Sequence, residues 1–442
     1  MSTRAGWILL IISCLIVVAY ALHRDLLYER AYTGDLRNRI VGSRMIEDGR
    51  SPYFYKWQKG DPIRYYDPTN FDTLKASIMT STPFLHRVFY PIADLPQARI
   101  SKIWLAAEYI LFICMTVFAF SLARTNEGKM AVVLFFILFL LSNAWKKQMA
   151  NGQTYIWVPS FAMLFFFFFR KNKHVVWTVA AGIAAVCLLL TKPNTLVFFI
   201  PFLFQFRQYS RARIVAFFIP LLVMGGWILL NSAERGLWQD YGRVVSAYTD
   251  ISQGHAALQH NDPDPQYPNW EGIDMKTAAV AEAQYNQTAK VYSENGNFFV
   301  LWLITTHHRL PVPVLGIMAL AIVSLLILLF YRQAHGGRTD VTRTAIFGFC
   351  LYMVTDLFSP VYRHQYYTVQ WIFPLLLAAS LYTFRSRARW AYNLLLAGLL
   401  LSVVHLGFIK MENTIGEYLF MASLLVISFI PGPGSRQEST PV

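Results

Sequence analysis

Apolar residues run along this chain in long unbroken blocks separated by short polar connections, a pattern of membrane-crossing helices and not of amphipathic ones. A helix needs about 20 apolar residues to cross the hydrocarbon core, with roughly 17 to 25 tolerated. That length predicts about twelve spans, near 6–22, 103–123, 130–145, 154–169, 174–190, 194–206, 214–231, 312–331, 343–358, 366–384, 391–409 and 416–431. The sixth is short and interrupted by Pro201, which predicts a broken or re-entrant segment. The expected fold class is therefore all-α: a polytopic transmembrane helical bundle forming one membrane domain over 1–431, with two long outer loops at 23–102 and 232–311.

Alternate short connections are basic. They carry Arg124 and Lys129; Arg170, Lys171 and Lys173; Arg207, Arg211 and Arg213; Arg332, Arg338 and Arg343; and Arg385, Arg387 and Arg389. The positive-inside tendency puts these turns and both termini in the cytoplasm, and the two long loops, which are exempt from that tendency, outside. The expected location is the plasma (inner) membrane, with any chemistry facing out. The first apolar run follows Arg4 and looks like a signal peptide, but no small-x-small cleavage site precedes His23, Arg24 and Asp25, so a retained span is expected. The segment 432–442, rich in Gly, Pro, Ser and Thr, reads as a disordered cytoplasmic tail.

Composition agrees with the membrane reading: 55% of residues are hydrophobic and 14% charged, against roughly 25% charged in soluble domains. The net charge of +14 sits in the connections between apolar runs, which makes it topological and gives no reason to expect a nucleic-acid partner. Cys14, Cys114, Cys187 and Cys350 fall within apolar runs without metal-ligand spacing, so neither disulfides nor zinc are expected. There is no Walker A loop, GxGxxG or HExxH, and no cofactor is expected.

The first long loop contains a helix-like stretch over 34–48, then turn residues Gly49, Pro52, Gly60, Pro62 and Pro68. It is rich in aromatics, among them Tyr53, Phe54, Tyr55, Trp57, Tyr65, Tyr66, Phe71, Phe84, Phe89 and Tyr90, which favours a position in the headgroup layer, roofing a cavity. The second loop predicts a helix around 275–292 after a Pro/Asn/Asp-rich stretch at 261–269.

Five places offer chemistry. Asp35, followed by Arg37 and Arg39, has the residue type of a general base near the membrane surface, though its spacing alone favours a helix N-cap or loop charge. Lys192, before Pro193 at the outer end of a span, suits a lipid phosphate, or snorkels. Asp356, Arg363 and His364 are expected on a short outer turn, where Arg and His suit a phosphate and a sugar, or form part of an interface belt. Asn151 and Gln153 flank Gly152 on another outer turn, and their amides suit a hydroxyl-rich ligand or a helix cap. Asp262 and Asp264 make a DxD-like pair weakened by two prolines. Glu108 and His405, within predicted spans, are expected to hydrogen-bond between helices.

These fragments together resemble glycosyltransferase family 87, of the C-type membrane glycosyltransferases. GDLRNRIVGSRMIEDGRSPYFY looks like the family's first-loop pattern, STPFLHRVFYPIADLP its approach to the second span, NGQTYIW with LLLTKPNTLVFFIPFLF its GQ and KP core, and SPVYRHQYYTVQWIFPLLL its late S-P-x-x-x-x-H motif. The resemblance covers about 30–210 and 340–385. It implies a polyprenyl-phosphate sugar donor, a lipid or glycan acceptor and hexosyl, specifically mannosyl, transfer. It further implies Asp35 as general base, with Lys192, Arg363, His364, Gln153, Asn151 and Arg37 binding substrate and no metal. A phosphodiester-linked leaving group is already stable as an anion, so cations suffice to stabilise it, and one carboxylate suffices for inverting displacement. A flippase or transporter, or a polymerase or ligase of lipid-linked glycans, is the competing expectation; a transporter would show broken helices and charges within the bilayer.

Overall fold

The computed structural model describes residues 3–30, 34–53, 55, 57, 60–66, 79–171, 174–206, 209–253, 296–306, 308, 310–334, 340–361, 363–384, 386, 388–403 and 412–430. Phe54, Phe71, Pro68, Lys173, Arg207, the 261–269 stretch with Asp262 and Asp264, the expected helix at 275–292, Arg338, Arg385, Arg387, His405 and the tail 432–442 lie outside the described residues.

The described chain is all-helical, 84% helix and without strands. In order, the helices are α1 (Thr3–Arg30), α2 (Gly34–Glu47), α3 (Pro83–Val88), α4 (Gln97–Leu122), α5 (Asn126–Leu141), α6 (Asn143–Asn151), α7 (Trp157–Arg170), α8 (Val175–Thr191), α9 (Ile200–Gln205), α10 (Arg211–Leu230), α11 (Ser232–Gln253), α12 (Phe298–Thr306), α13 (Val312–Ala334), α14 (Val341–Leu357), α15 (Ile372–Ser380), α16 (Arg389–Val403) and α17 (Glu412–Phe429). Four of them, α1, α4, α10 and α13, are long and apolar enough to cross a membrane alone; α5 and α6, bent by 54°, make a fifth as a pair. Of the other expected spans, those near 154–169, 174–190 and 391–409 coincide with the shorter apolar helices α7, α8 and α16.

Local chemistry explains where these helices start and stop. Thr125 and Ser142 cap α5 and α6 by accepting from Gly128 N at 3.1 Å and Trp145 N at 3.2 Å, each satisfying an amide the helix itself leaves unpaired. Gly152 ends α6 in the left-handed region at φ 62°, a conformation available to glycine without steric penalty. Two segments begin as tight 3-10 turns: Pro193–Phe199 before α9, in the segment expected to be broken, and Gln365–Trp371 before α15, in one expected as an ordinary span. The break predicted from Pro201 thus has a counterpart, at Gln365–Trp371, that the apolar pattern alone does not predict.

The core is aromatic. Phe165 meets Phe198 at 5.5 Å and 76° and Phe202 at 4.9 Å and 89° between ring centroids, edge-to-face contacts worth about 0.5–1.5 kcal/mol each beyond area burial. Small residues let backbones touch where rings would not fit. A Cβ on Gly398 would stand 2.8 Å from Gly416 O, and one on Gly416 would stand 2.7 Å from Gly398 O, so α16 and α17 cross at these two positions.

The first long loop forms a small helical cap, and the second contributes α11, a helix the sequence pattern did not separate from its loop. Val41, Met45, Tyr53, Tyr65 and Met79 bury together with Val244 of α11, and Arg87 pairs with the buried Glu234. The two long loops therefore pack on one another at one end of the bundle.

Candidate active site

Asp35 lies in the first turn of α2 and is exposed. Its carboxylate accepts a hydrogen bond from Gln153 Nε2. Gln153 is only 2% exposed, and its backbone oxygen accepts from Trp104 Nε1 at 3.2 Å and Gln148 Nε2 at 2.9 Å. Its Oε1 accepts from Arg39 Nη2 at 2.6 Å. One amide thus bridges a carboxylate and a guanidinium, and its main chain is fixed by two buried donors. Arg39 also donates to Gly152 O at 3.0 Å and Ser81 Oγ at 3.2 Å; all three of these acceptors are neutral.

A second cluster is built from helices far apart in sequence. Lys192, at the end of α8, donates to Asp356 and, at 3.1 Å, to Gln370 Oε1. Arg363 donates through Nε to Asp356 Oδ2 at 2.6 Å and through Nη1 to Glu417 of α17, whose other oxygen accepts from Thr368. Two cations and two carboxylates therefore balance. Burial works against the charge of Arg363, but Glu417 and Asp356 hold its pKa above that of a free guanidinium. Asp356 is not on the turn where the sequence placed it: it is in the last turn of α14, 3% exposed, because the helix continues to Leu357 and its carboxylate is neutralised there by Lys192 and Arg363.

Tyrosines connect the two clusters. Lys192 Nζ lies 5.0 Å from the Tyr367 ring centre and 5.6 Å from that of Tyr155, within cation–π range. The Tyr155 and Tyr367 rings are 4.1 Å apart. Tyr366 stacks on both at 5.4 Å, is close enough to Asp35 to feel its charge, and has the His364 ring 5.3 Å away. Asp35, Gln153, Lys192, Arg363 and His364 are thus brought together.

Two expected residues stand apart. Asn151 ends α6, half-buried and without a hydrogen bond among the described residues. Arg37 is buried at 7% exposure, two residues from Asp35 and so well around the helix from it; Arg39, four residues on, shares its face. The sequence reading placed Asp35 beside cations but assigned the binding role to Arg37, and it assigned none to Glu417, Tyr155, Tyr366, Tyr367 or Gln370. The i, i+4 spacing of Asp35 and Arg39 and the carboxylate of Glu417 inside an apolar run were the available signals. Glu108 meets its expectation as an interhelical partner, accepting from Gln148 Nε2 at 2.9 Å. No family model, curated protein or solved structure matches this chain.

Proposed function

We propose that this chain is a membrane glycosyltransferase. It moves a hexosyl group, mannosyl in the family it resembles, from a polyprenyl-phosphate sugar to a lipid or glycan acceptor on the outer face of the plasma membrane. The reading keeps the twelve-span topology, in which Asp35, Gln153, Lys192 and Asp356 fall at the same outer boundary. The observation that carries it is Gln153, whose one amide holds an exposed carboxylate and a guanidinium with only neutral acceptors side by side.

Asp35 is the general base that takes the acceptor hydroxyl proton while that oxygen attacks the anomeric carbon and the phosphate leaves, with inversion. The charges of Lys192 and Arg363 are already matched by Asp356 and Glu417, which leaves Arg39, whose acceptors among the described residues are neutral, as the cation for the departing phosphate. Lys192 keeps 20% of its side chain accessible and can turn to that phosphate, whereas Arg363, at 2%, anchors the Gln365–Trp371 turn. The tyrosine row offers flat apolar faces to a sugar ring, with His364 at its margin.

The two broken segments beside buried charges are also what a transporter of lipid-linked glycans would use. Asp35→Asn separates the readings. For a transferase it lowers turnover by at least about a hundredfold and leaves donor binding intact; for a transporter, movement of the lipid-linked cargo continues.

A further inference from the structure

At the end of the bundle away from Asp35, residues at the end of α7 and the start of α8, with Phe118 of α4, line an open cleft of about 420 Å³: Phe118, Phe167, Arg170, Lys171, His174 and Trp177. That size suits a small ligand or a headgroup. Its walls are aromatic: Trp177 stacks on Phe168 at 5.7 Å and 18°, and Lys171 Nζ rests 4.3 Å from the Phe167 ring centre and 5.2 Å from that of Trp177. The ammonium is therefore poised over ring faces instead of on a carboxylate.

Among the described residues no carboxylate pairs with the basic side chains of this cleft. The sequence has no Asp or Glu anywhere over 128–233, and among the described residues Arg170, Lys171 and His174 form no ion pair, neither with Glu127 at the start of α5 nor with Asp340 before α14. Basic side chains collected beside aromatic rings at a helix end need an anion from elsewhere. The helices that line the cleft say where it comes from: Val117, next to Phe118, is 62% exposed and Val176, next to Trp177, 72%, so these helices also present apolar surface that acyl chains cover. A free phosphate would gain nothing from those walls. An anionic phospholipid satisfies both at once, its phosphodiester on Arg170 and Lys171 and its upper chain against Phe118 and Trp177.

We propose that this cleft is a binding site for the phosphate headgroup of an anionic phospholipid in one leaflet, distinct from the candidate active site. The test uses the full chain purified in neutral detergent and fluorescent phosphatidylglycerol as the probe, with phosphatidylcholine and inorganic phosphate as competitors. Arg170→Gln/Lys171→Gln should weaken probe binding roughly thirtyfold, while Arg211→Gln, which removes an exposed cation outside the cleft, should leave it unchanged. Neither competitor should displace the probe at equal concentration. If the double variant does not fold, Lys171→Gln alone should weaken binding by roughly fivefold. Unchanged binding in the cleft variants, an equal loss in Arg211→Gln, or displacement by inorganic phosphate would each overturn the proposal.

Discussion

The carboxylate of Asp35 and the side-chain amide of Gln153 are hydrogen-bonded across 118 residues of sequence. The bond ties the cap formed by the first loop to the turn between α6 and α7, and it fixes the exposed Asp35 side chain at the start of an otherwise largely buried helix.

Replacing Gln153 by Ala should therefore affect activity more than stability. Its backbone oxygen keeps the bonds from Trp104 and Gln148, so the turn survives, and the stability cost should be about 1 kcal/mol. Asp35 and Arg39 lose their shared partner, and turnover should fall on the order of tenfold or more. Thermal unfolding and rate measured on the same preparation check the split.

Arg363 is a structural anchor on this account. Arg363→Met strands Asp356 and Glu417, 3% and 1% exposed, with only Lys192 to compensate them, and should destabilise the protein by about 3–5 kcal/mol. Adding Glu417→Met removes one stranded charge. The double variant should then be more stable than the two single losses sum to, a coupling readable from a mutant cycle in detergent.

Close packing of α8 on α10 makes two glycines respond oppositely. A Cβ on Gly182 would collide with Phe217 O, whereas one on Gly225 would meet nothing within 4 Å. Gly182→Ala should cost about 1–3 kcal/mol, while Gly225→Ala should be neutral or stabilising by up to about 1 kcal/mol. Their melting temperatures should move in opposite directions or only the first should move.

His86, in the cap, is fully buried, and burial lowers its pKa to about 4 even though its Nδ1 lies 3.0 Å from Arg39 O. It is neutral when folded and titrates near 6.5 when unfolded. The unfolded chain therefore binds the proton first, so stability is full above about pH 6.5 and falls as the pH drops toward 4. Between pH 7 and pH 5 the loss should be on the order of 2 kcal/mol. His86→Leu should flatten that part of the stability profile.

Much of this was readable in the chain. Apolar runs located the helices, and GDLRNRI located α2, because both depend on local pattern. The reading lost ground where packing decides. Arg39 and Arg37 are indistinguishable until the helical face of Asp35 is known. Glu417 acquires its partners only when α17 lies against the turn after α14. The amphipathic helix α11 was hidden because its apolar side faces the first loop's Val41 and Met45 and not lipid, so no long apolar run marks it.

The most direct test of the glycosyl-transfer account is to incubate the purified protein with a panel of polyprenyl-phosphate sugars and an acceptor extract and to quantify free polyprenyl phosphate. We expect release from at least one donor by the native chain and its near-complete loss in Asp35→Asn. Intact donors throughout the panel, or equal release by Asp35→Asn, would contradict it.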